Sequence, residues 1–209
     1  MKQYTDFVFD IDGTLLDTEQ TGVLSLMQTI RELIGKEVSY EEAYYFFGVP
    51  SSQASSILGY ADEARFAAVW EQHYQELMHL VIPFPGVLEV LEDLHATGAG
   101  MGIVTSRSRL EIQYDPHLAK LLPFFGTVVC SADSPRPKPF PDPMLTYLER
   151  TGARKEATLF LGDTMHDYRC GHDAGCDFAL ADWRKRGMQG IAAEYRFTDA
   201  ASLREILGV

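Results

Sequence analysis

The sequence predicts an α/β protein, a parallel sheet with helices on both faces, interrupted by an inserted all-helical unit. Three observations point there. Short apolar runs recur at residues 7–9, 101–104, 128–130, 159–161 and 178–180, each ending at a polar or glycine-bearing turn. Runs this apolar suit strands buried on both faces, hence a parallel sheet. Helical stretches separate the last four runs, and alternation of this kind is the mark of an α/β fold. Finally, the interval between the first run and Pro83 carries only helical patterns.

Taken in order, the run at 7–9 delivers Asp10, Ile11, Asp12 and Gly13. Beyond it, Val23, Met27, Ile30 and Ile34 keep the 3/4 spacing of a helix, with Asp17 and Gln20 as a start box. Ser39 with Glu42 is a second capping box, for a helix through Phe47. Further helices are expected over 51–58 and 61–81, and Pro83 with Pro85-Gly86 marks the return. So long a strand-free interval favours a separate cap over the carboxyl edge of the sheet. The expected organisation is a core of 1–16 and 84–209 with a helical cap at 17–83. Within the cap, Tyr44-Tyr45-Phe46-Phe47 reads first as the cap's own core and second as its inner lining. In the core, Val87, Leu88, Val90, Leu91 and Leu94 mark a helix over 87–95 that Gly98 closes. Helices over 143–150 and 167–174 end at Gly152 and Gly175 in the same manner.

Composition narrows the functions. A length of 209 residues suits one domain, or one with a modest insert, and an apolar share of 46% suits a real core. The net charge of −12 argues against nucleic acid or an anionic membrane as the main partner. It leaves room for an anionic substrate, because local cations override global charge. No run of 18 apolar residues occurs, so no membrane-spanning helix is expected. Met1-Lys2-Gln3-Tyr4 leads almost directly into a strand, so no signal peptide is expected. Cys130, Cys170 and Cys176 are odd in number and form no Cys-x-x-Cys, which predicts reduced thiols and a cytoplasmic setting.

The chemistry starts at Asp10 and Asp12. Residues i and i+2 of a strand point to the same side, so two carboxylates would share the carboxyl end of a buried strand. In open α/β sheets ligands bind at that edge. Like charges this close repel unless a cation is shared or a proton retained, and a hard divalent metal takes oxygen ligands. Taken alone, Asp-x-Asp-Gly also suits a turn, a manganese-binding Asp-x-Asp or the start of a calcium loop. Three further segments decide. The run at 102–104 ends at Thr105-Ser106, and that at 159–161 at Gly162-Asp163, with Asp167 four residues on. Lys138 is held among prolines in Arg136-Pro137-Lys138-Pro139-Phe140-Pro141-Asp142-Pro143. Each alone has a plainer explanation: Thr105 and Ser106 as helix caps, Lys138 as a solvated lysine, Asp163 and Asp167 as a turn and a helix start. Jointly they suit phosphoryl transfer. That reaction asks for an in-line nucleophile, a metal, and cations or hydrogen-bond donors around the equatorial oxygens. One carboxylate can attack phosphorus and a second can serve as acid and then base.

With these motifs in this order, the chain resembles the haloacid dehalogenase-like hydrolases, in the branch near phosphoglycolate phosphatases and β-phosphoglucomutases. Asp10-Ile11-Asp12-Gly13-Thr14-Leu15 fits the first motif, Thr105 the second, and Lys138-Pro139-Phe140-Pro141-Asp142-Pro143 the third. Gly162-Asp163-Thr164-Met165-His166-Asp167, with Ala174-Gly175 downstream, fits the fourth. The match covers the whole length, and the helical insert fits that branch's cap. The resemblance implies a Rossmann-like core and an Mg²⁺ cofactor. It implies Asp10 as nucleophile and Asp12 as acid/base. Asp10, the Asp12 backbone carbonyl and Asp163 would bind Mg²⁺, with Asp167 close by. Gly13, Thr105, Ser106 and Lys138 would hold the phosphoryl group.

The expected activity is therefore hydrolysis of a small phosphorylated metabolite through an aspartyl phosphate, by a monomer or weak homodimer. A phosphomutase of the same fold and a non-catalytic binding or regulatory protein are the alternatives. The retained Asp12 and Asp163 argue against dehalogenation. There are departures from the resemblance. The cap loop Gly48-Val49-Pro50-Ser51 lacks the arginine common in sugar-phosphate members. Glu19-Gln20-Thr21-Gly22 lacks the early histidine of β-phosphoglucomutases. Ser106-Arg107 stands where many relatives have Asn-Lys; Arg107 reads first as a solvated arginine and second as a substrate contact. His166 is assigned no role.

Overall fold

The structure is a computed structural model that describes residues 2–47, 49 and 51–207. Its strands are β1 (Asp6–Phe9), β2 (Leu16–Asp17), β3 (Ile82–Pro83), β4 (Gly100–Val104), β5 (Thr127–Val129), β6 (Thr158–Gly162), β7 (Asp177–Ala181) and β8 (Tyr195–Phe197). Its helices are α1 (Glu19–Ile34), α2 (Tyr40–Tyr44), α3 (Ser51–Ile57), α4 (Glu63–Glu76), α5 (Val87–Ala96), α6 (Arg109–Tyr114), α7 (Asp142–Thr151), α8 (Met165–Ala174) and α9 (Arg204–Leu207). Packing divides the chain into two compact units, Met1–Leu16 with Pro83–Val209, and Asp17–Ile82.

In the first unit six strands form one sheet in the order β5-β4-β1-β6-β7-β8, and every neighbouring pair is parallel. The fold class is thus α/β with a Rossmann-like parallel sheet. Strand β1 lies at its centre, with Phe9 opposite Ile103 on one side and Leu161 on the other. Chain order departs from β1 in both directions, to β4 and to β6. This is the switch point at which open α/β sheets leave a crevice beyond their carboxyl ends.

Alternation along β1 explains why helices are needed on both faces. Val8 turns into a cluster with Met144, Tyr147, Cys170 and Ala174, which come from α7 and α8. Phe9 lines a small apolar space with Val87, Val90 and Leu91 of α5. Phe7, Val8 and Phe9 are all buried, and burying a side chain of this size contributes about 1.5–3 kcal/mol. Strand β8 is absent from the sequence reading. Its two apolar side chains are split by Arg196, so no continuous apolar run marks it as a strand, and it forms by pairing with β7 at the sheet edge.

Among the described residues, helices are the only regular elements of the second unit apart from its two end residues. Val23, Leu26, Ile30, Ala43, Phe46, Ala54 and Phe66 are its core, and the Trp70 indole N–H donates to Ser25 Oγ at 2.8 Å. Three expectations change here. No start box forms from Asp17 and Gln20: α1 begins at Glu19 after Thr18, whose side chain makes no capping bond. The Ser39–Glu42 box is present, but its helix stops at Tyr44 rather than running through Phe47, because Phe46 turns into the core while Tyr45 is exposed. The last helix starts at Glu63, where Asp62 accepts from the Arg65 N–H at 3.0 Å. Gly48 and Pro50 of the arginine-free loop lie outside the described residues. Among the described residues no helix is long and apolar enough to cross a membrane, and the three cysteines are buried free thiols.

Candidate active site

The site grows from the end of β1. The Asp10 N–H donates to Leu161 O at 2.9 Å, so the ladder carries this residue one step beyond the strand. The chain then turns sharply, and Ile11 O accepts from the N–H groups of Leu15 and Leu16, each at 2.9 Å. Gly13 makes the turn possible with φ +79°, a region that penalises any side chain. A methyl group there would also overlap the Asp163 carboxylate. A side chain at Gly162 would likewise strike Asp167. Both glycines therefore let acidic side chains close on the backbone.

Strand β4 hands over at Thr105, which is buried and whose N–H donates to Val129 O at 3.0 Å. Its Oγ1 accepts from the Arg107 N–H at 3.2 Å, which leaves the hydroxyl proton to be donated. The helix that follows is capped by Ser108, not by Thr105 or Ser106. Ser106 itself is half-buried.

Lys138 is not a solvated lysine: it is 5% exposed, with Nζ 2.8 Å from Asp10 Oδ1 and 2.6 Å from Asp167 Oδ1. The loop carrying it is closed by the Arg136 guanidinium, which grips Asp142 at 2.8 and 3.0 Å and lies over the Phe140 ring. Its Lys138–Pro139 peptide is cis. Burial works against the charge on Lys138, but Asp10 and Asp167 outweigh it and hold its pKa above the ordinary lysine range.

Asp167 does two things at once. As the third residue of α8 it completes a capping box with Thr164, and its other oxygen takes Lys138. The helix-start reading of Asp167 therefore holds, and the same side chain also meets Lys138. Asp163 differs, since its buried Oδ1 has no hydrogen-bond partner among the described residues.

The sum of charges is telling. One ammonium faces Asp10, Asp163 and Asp167, each of which offers an oxygen within 4.8 Å of the others. Burial, then the Asp167 and Asp12 charges, push the Asp10 carboxyl up to about 7 against the pull of Lys138. Burial, then Asp167 and Asp10, raise Asp163 well above the ordinary carboxylate range. Such a cluster has surplus negative charge and an unused oxygen, which fits a hard divalent cation.

Asp12 stands apart from this trio. Arg107 grips it bidentately, Nη2 to Oδ1 at 2.7 Å and Nε to Oδ2 at 2.9 Å. The third branch, Nη1, reaches the buried Asp115 at 2.6 Å. The reading of Arg107 as a solvated arginine is thus corrected: it is 7% exposed, because two carboxylates draw its head group inward. Asp115 carries no signal in the sequence. His166 is half-buried, and burial lowers its pKa.

A sequence profile described as haloacid dehalogenase-like hydrolase matches residues 7–181 of this chain. The chain belongs to that family. It falls in the phosphoglycolate phosphatase-like branch. It is 29% identical to the pyrophosphatase PpaX of Bacillus velezensis, over 100% of this chain and 98% of the relative. A Bacillus cereus protein of the same name is 30% identical over 89% of this chain and 87% of its own. Among solved structures, one from Lactobacillus plantarum, provisionally assigned as a phosphoglycolate phosphatase, superposes with a TM-score of 0.86. It is 27% identical and covers 98% of this chain and 99% of its own.

Proposed function

We propose that this chain is a Mg²⁺-dependent phosphatase that hydrolyses a small phosphomonoester through an aspartyl phosphate on Asp10. The observation that carries the reading is Lys138 bridging Asp10 and Asp167 beside the unpartnered oxygen of Asp163. An ammonium and a cluster short of positive charge suit a phosphoryl group better than a neutral substrate. The phosphatase names of the relatives support the same class.

In this reading a carboxylate oxygen of Asp10 attacks phosphorus in line with the leaving oxygen. The new O–P bond forms as the ester P–O bond breaks. Asp12 gives the departing oxygen its proton, then takes one from the incoming water. Water attacks phosphorus, the Asp10–phosphorus bond breaks, and the free carboxylate returns. The Thr105 hydroxyl, Ser106 and Lys138 hold the equatorial oxygens, and the turn at Gly13 brings backbone N–H groups close to them. Asp10, the Asp12 carbonyl and Asp163 would hold Mg²⁺, with Asp167 supporting Lys138. When bound, the ion offsets the charge of the carboxylates and of the phosphoryl oxygens. The helical unit is the part proposed to act as a cap that selects the substrate by shape. Buried reduced thiols and the net charge of −12 support a cytoplasmic protein acting on metabolites.

A mutase would use Asp10 in the same way but deliver the phosphoryl group to a second sugar hydroxyl. Gly22 and the arginine-free loop provide little to grip a sugar, so water is the proposed acceptor. The test is purified protein with Mg²⁺ against a panel of phosphomonoesters and inorganic pyrophosphate, reading released phosphate. A second arm offers β-glucose 1-phosphate with a trace of the 1,6-bisphosphate. Net phosphate from the panel supports hydrolysis; fast glucose 6-phosphate with negligible free phosphate replaces it with the mutase.

A further inference from the structure

We infer that Arg107, anchored by Asp115, is the positioning residue for Asp12, holding the carboxylate in the orientation from which it serves the leaving group. The inference rests on the phosphatase reading and adds to it a residue pair that carries no part of the motifs.

The geometry is that of a fixed bracket. Asp115 is fully buried at its side chain. Its Oδ1 accepts from the N–H groups of His117 at 2.8 Å and Leu118 at 3.4 Å, while Oδ2 takes Nη1 of Arg107. The backbone of Arg107 is tied as well: its N–H donates to Thr105 Oγ1 at 3.2 Å and its carbonyl accepts from the Ser131 N–H at 3.0 Å. The guanidinium is therefore set from both ends before it meets Asp12. A planar fork then fixes both oxygens of the carboxylate, which sets its plane as well as its place. Asp12 needs such a guide, because its side chain is 28% exposed and it stands at the start of a glycine-bearing turn. Proton transfer to a leaving oxygen depends steeply on that placement. Thr105 ties the device to the phosphoryl pocket, since the hydroxyl proposed to hold the phosphoryl group also accepts the Arg107 N–H.

A buried arginine could equally be structural, or could touch substrate, so the test separates these roles by leaving group. Arg107→Met alone would strand the Asp115 charge in the interior. The protein used is therefore the double variant Arg107→Met with Asp115→Asn, which keeps the Oδ1 hydrogen bonds, alongside Arg107→Lys and Asp12→Asn. Cooperative melting establishes that each is folded. With Mg²⁺, kcat/KM is measured on p-nitrophenyl phosphate, whose leaving group departs without a proton, and on glycerol 3-phosphate, whose alkoxide needs one. The double variant should lose about 100-fold on the alkyl ester and less than about threefold on the aryl ester. Arg107→Lys, which keeps the charge but not the fork, should resemble the double variant. Adding Asp12→Asn to the double variant should cost nothing further on the alkyl ester, because both act through one carboxylate.

Equal losses on both esters would mean a structural role and overturn the inference. A raised KM with kcat intact on the alkyl ester would make Arg107 a substrate ligand and overturn it too. Wild-type protein that turns over neither these esters nor any of the panel would sink the phosphatase reading itself, and this inference with it. A failure confined to the variants leaves that reading standing.

Discussion

Lys138 and Asp167 form an ion pair of 2.6 Å in which the side chains are only 3% and 1% exposed. The same aspartate closes the first turn of α8 through Thr164. A helix start and the ammonium proposed to bind the phosphoryl group are thus fixed by one side chain, and the lysine is held at 2.8 Å from the proposed nucleophile.

Removing that ammonium should therefore harm the fold and the chemistry together. Lys138→Met leaves buried carboxylates without their cation, and stability should fall by about 3–5 kcal/mol. Excess Mg²⁺ should recover part of the stability but not the activity, because no group then replaces the lysine on the phosphoryl oxygens. Urea unfolding with and without Mg²⁺, beside kcat/KM, checks both parts.

Asp10→Asn should do the opposite to stability. It removes the charge proposed to attack phosphorus and relieves the acidic cluster. Turnover should fall by more than about a thousandfold, while the melting temperature stays level or rises. Substantial hydrolysis by a pure preparation of this variant would rule out covalent catalysis through Asp10.

The proposed metal dependence has a readout besides turnover. Chelation should abolish activity and Mg²⁺ restore it. Mg²⁺ at about 100 times its Kd should stabilise the wild-type protein by about 2.7 kcal/mol. Asp163→Ala, which removes the carboxylate with the unpartnered oxygen, should lose most of that shift. Full activity in excess EDTA would refute the assignment.

Gly13 tests the turn itself. At φ +79°, and with the Asp163 carboxylate where a methyl would stand, Gly13→Ala should destabilise the protein by about 1–3 kcal/mol. Because the added carbon displaces Asp163, the Mg²⁺-induced thermal shift should shrink as well. A variant with wild-type melting and an unchanged shift would disprove the close approach.

The strand positions and their carboxyl-end residues were open to reading from the chain alone. The reason is local: apolar runs buried on both faces stand out in composition, Asp10 and Thr105 follow directly after them, and Asp163 follows one glycine later. Glycine-closed helices such as α7 and α8 were equally plain, because Gly152 and Gly175 take up a left-handed conformation that few other residues tolerate. Strand β8 and the true first residue of α1 were not, since an apolar pair split by Arg196, or an unaided Thr18, carries too little local signal. Only the tertiary structure decided where the charges pair. Arg107 and Asp12 are 95 residues apart in sequence, and Lys138 and Asp167 are 29. Such partners are chosen by which strands lie side by side and by the cost of burying a charge alone. For that reason Arg107, which reads locally as a surface arginine, lies buried between Asp12 and Asp115, and Asp115, which has no motif at all, anchors it.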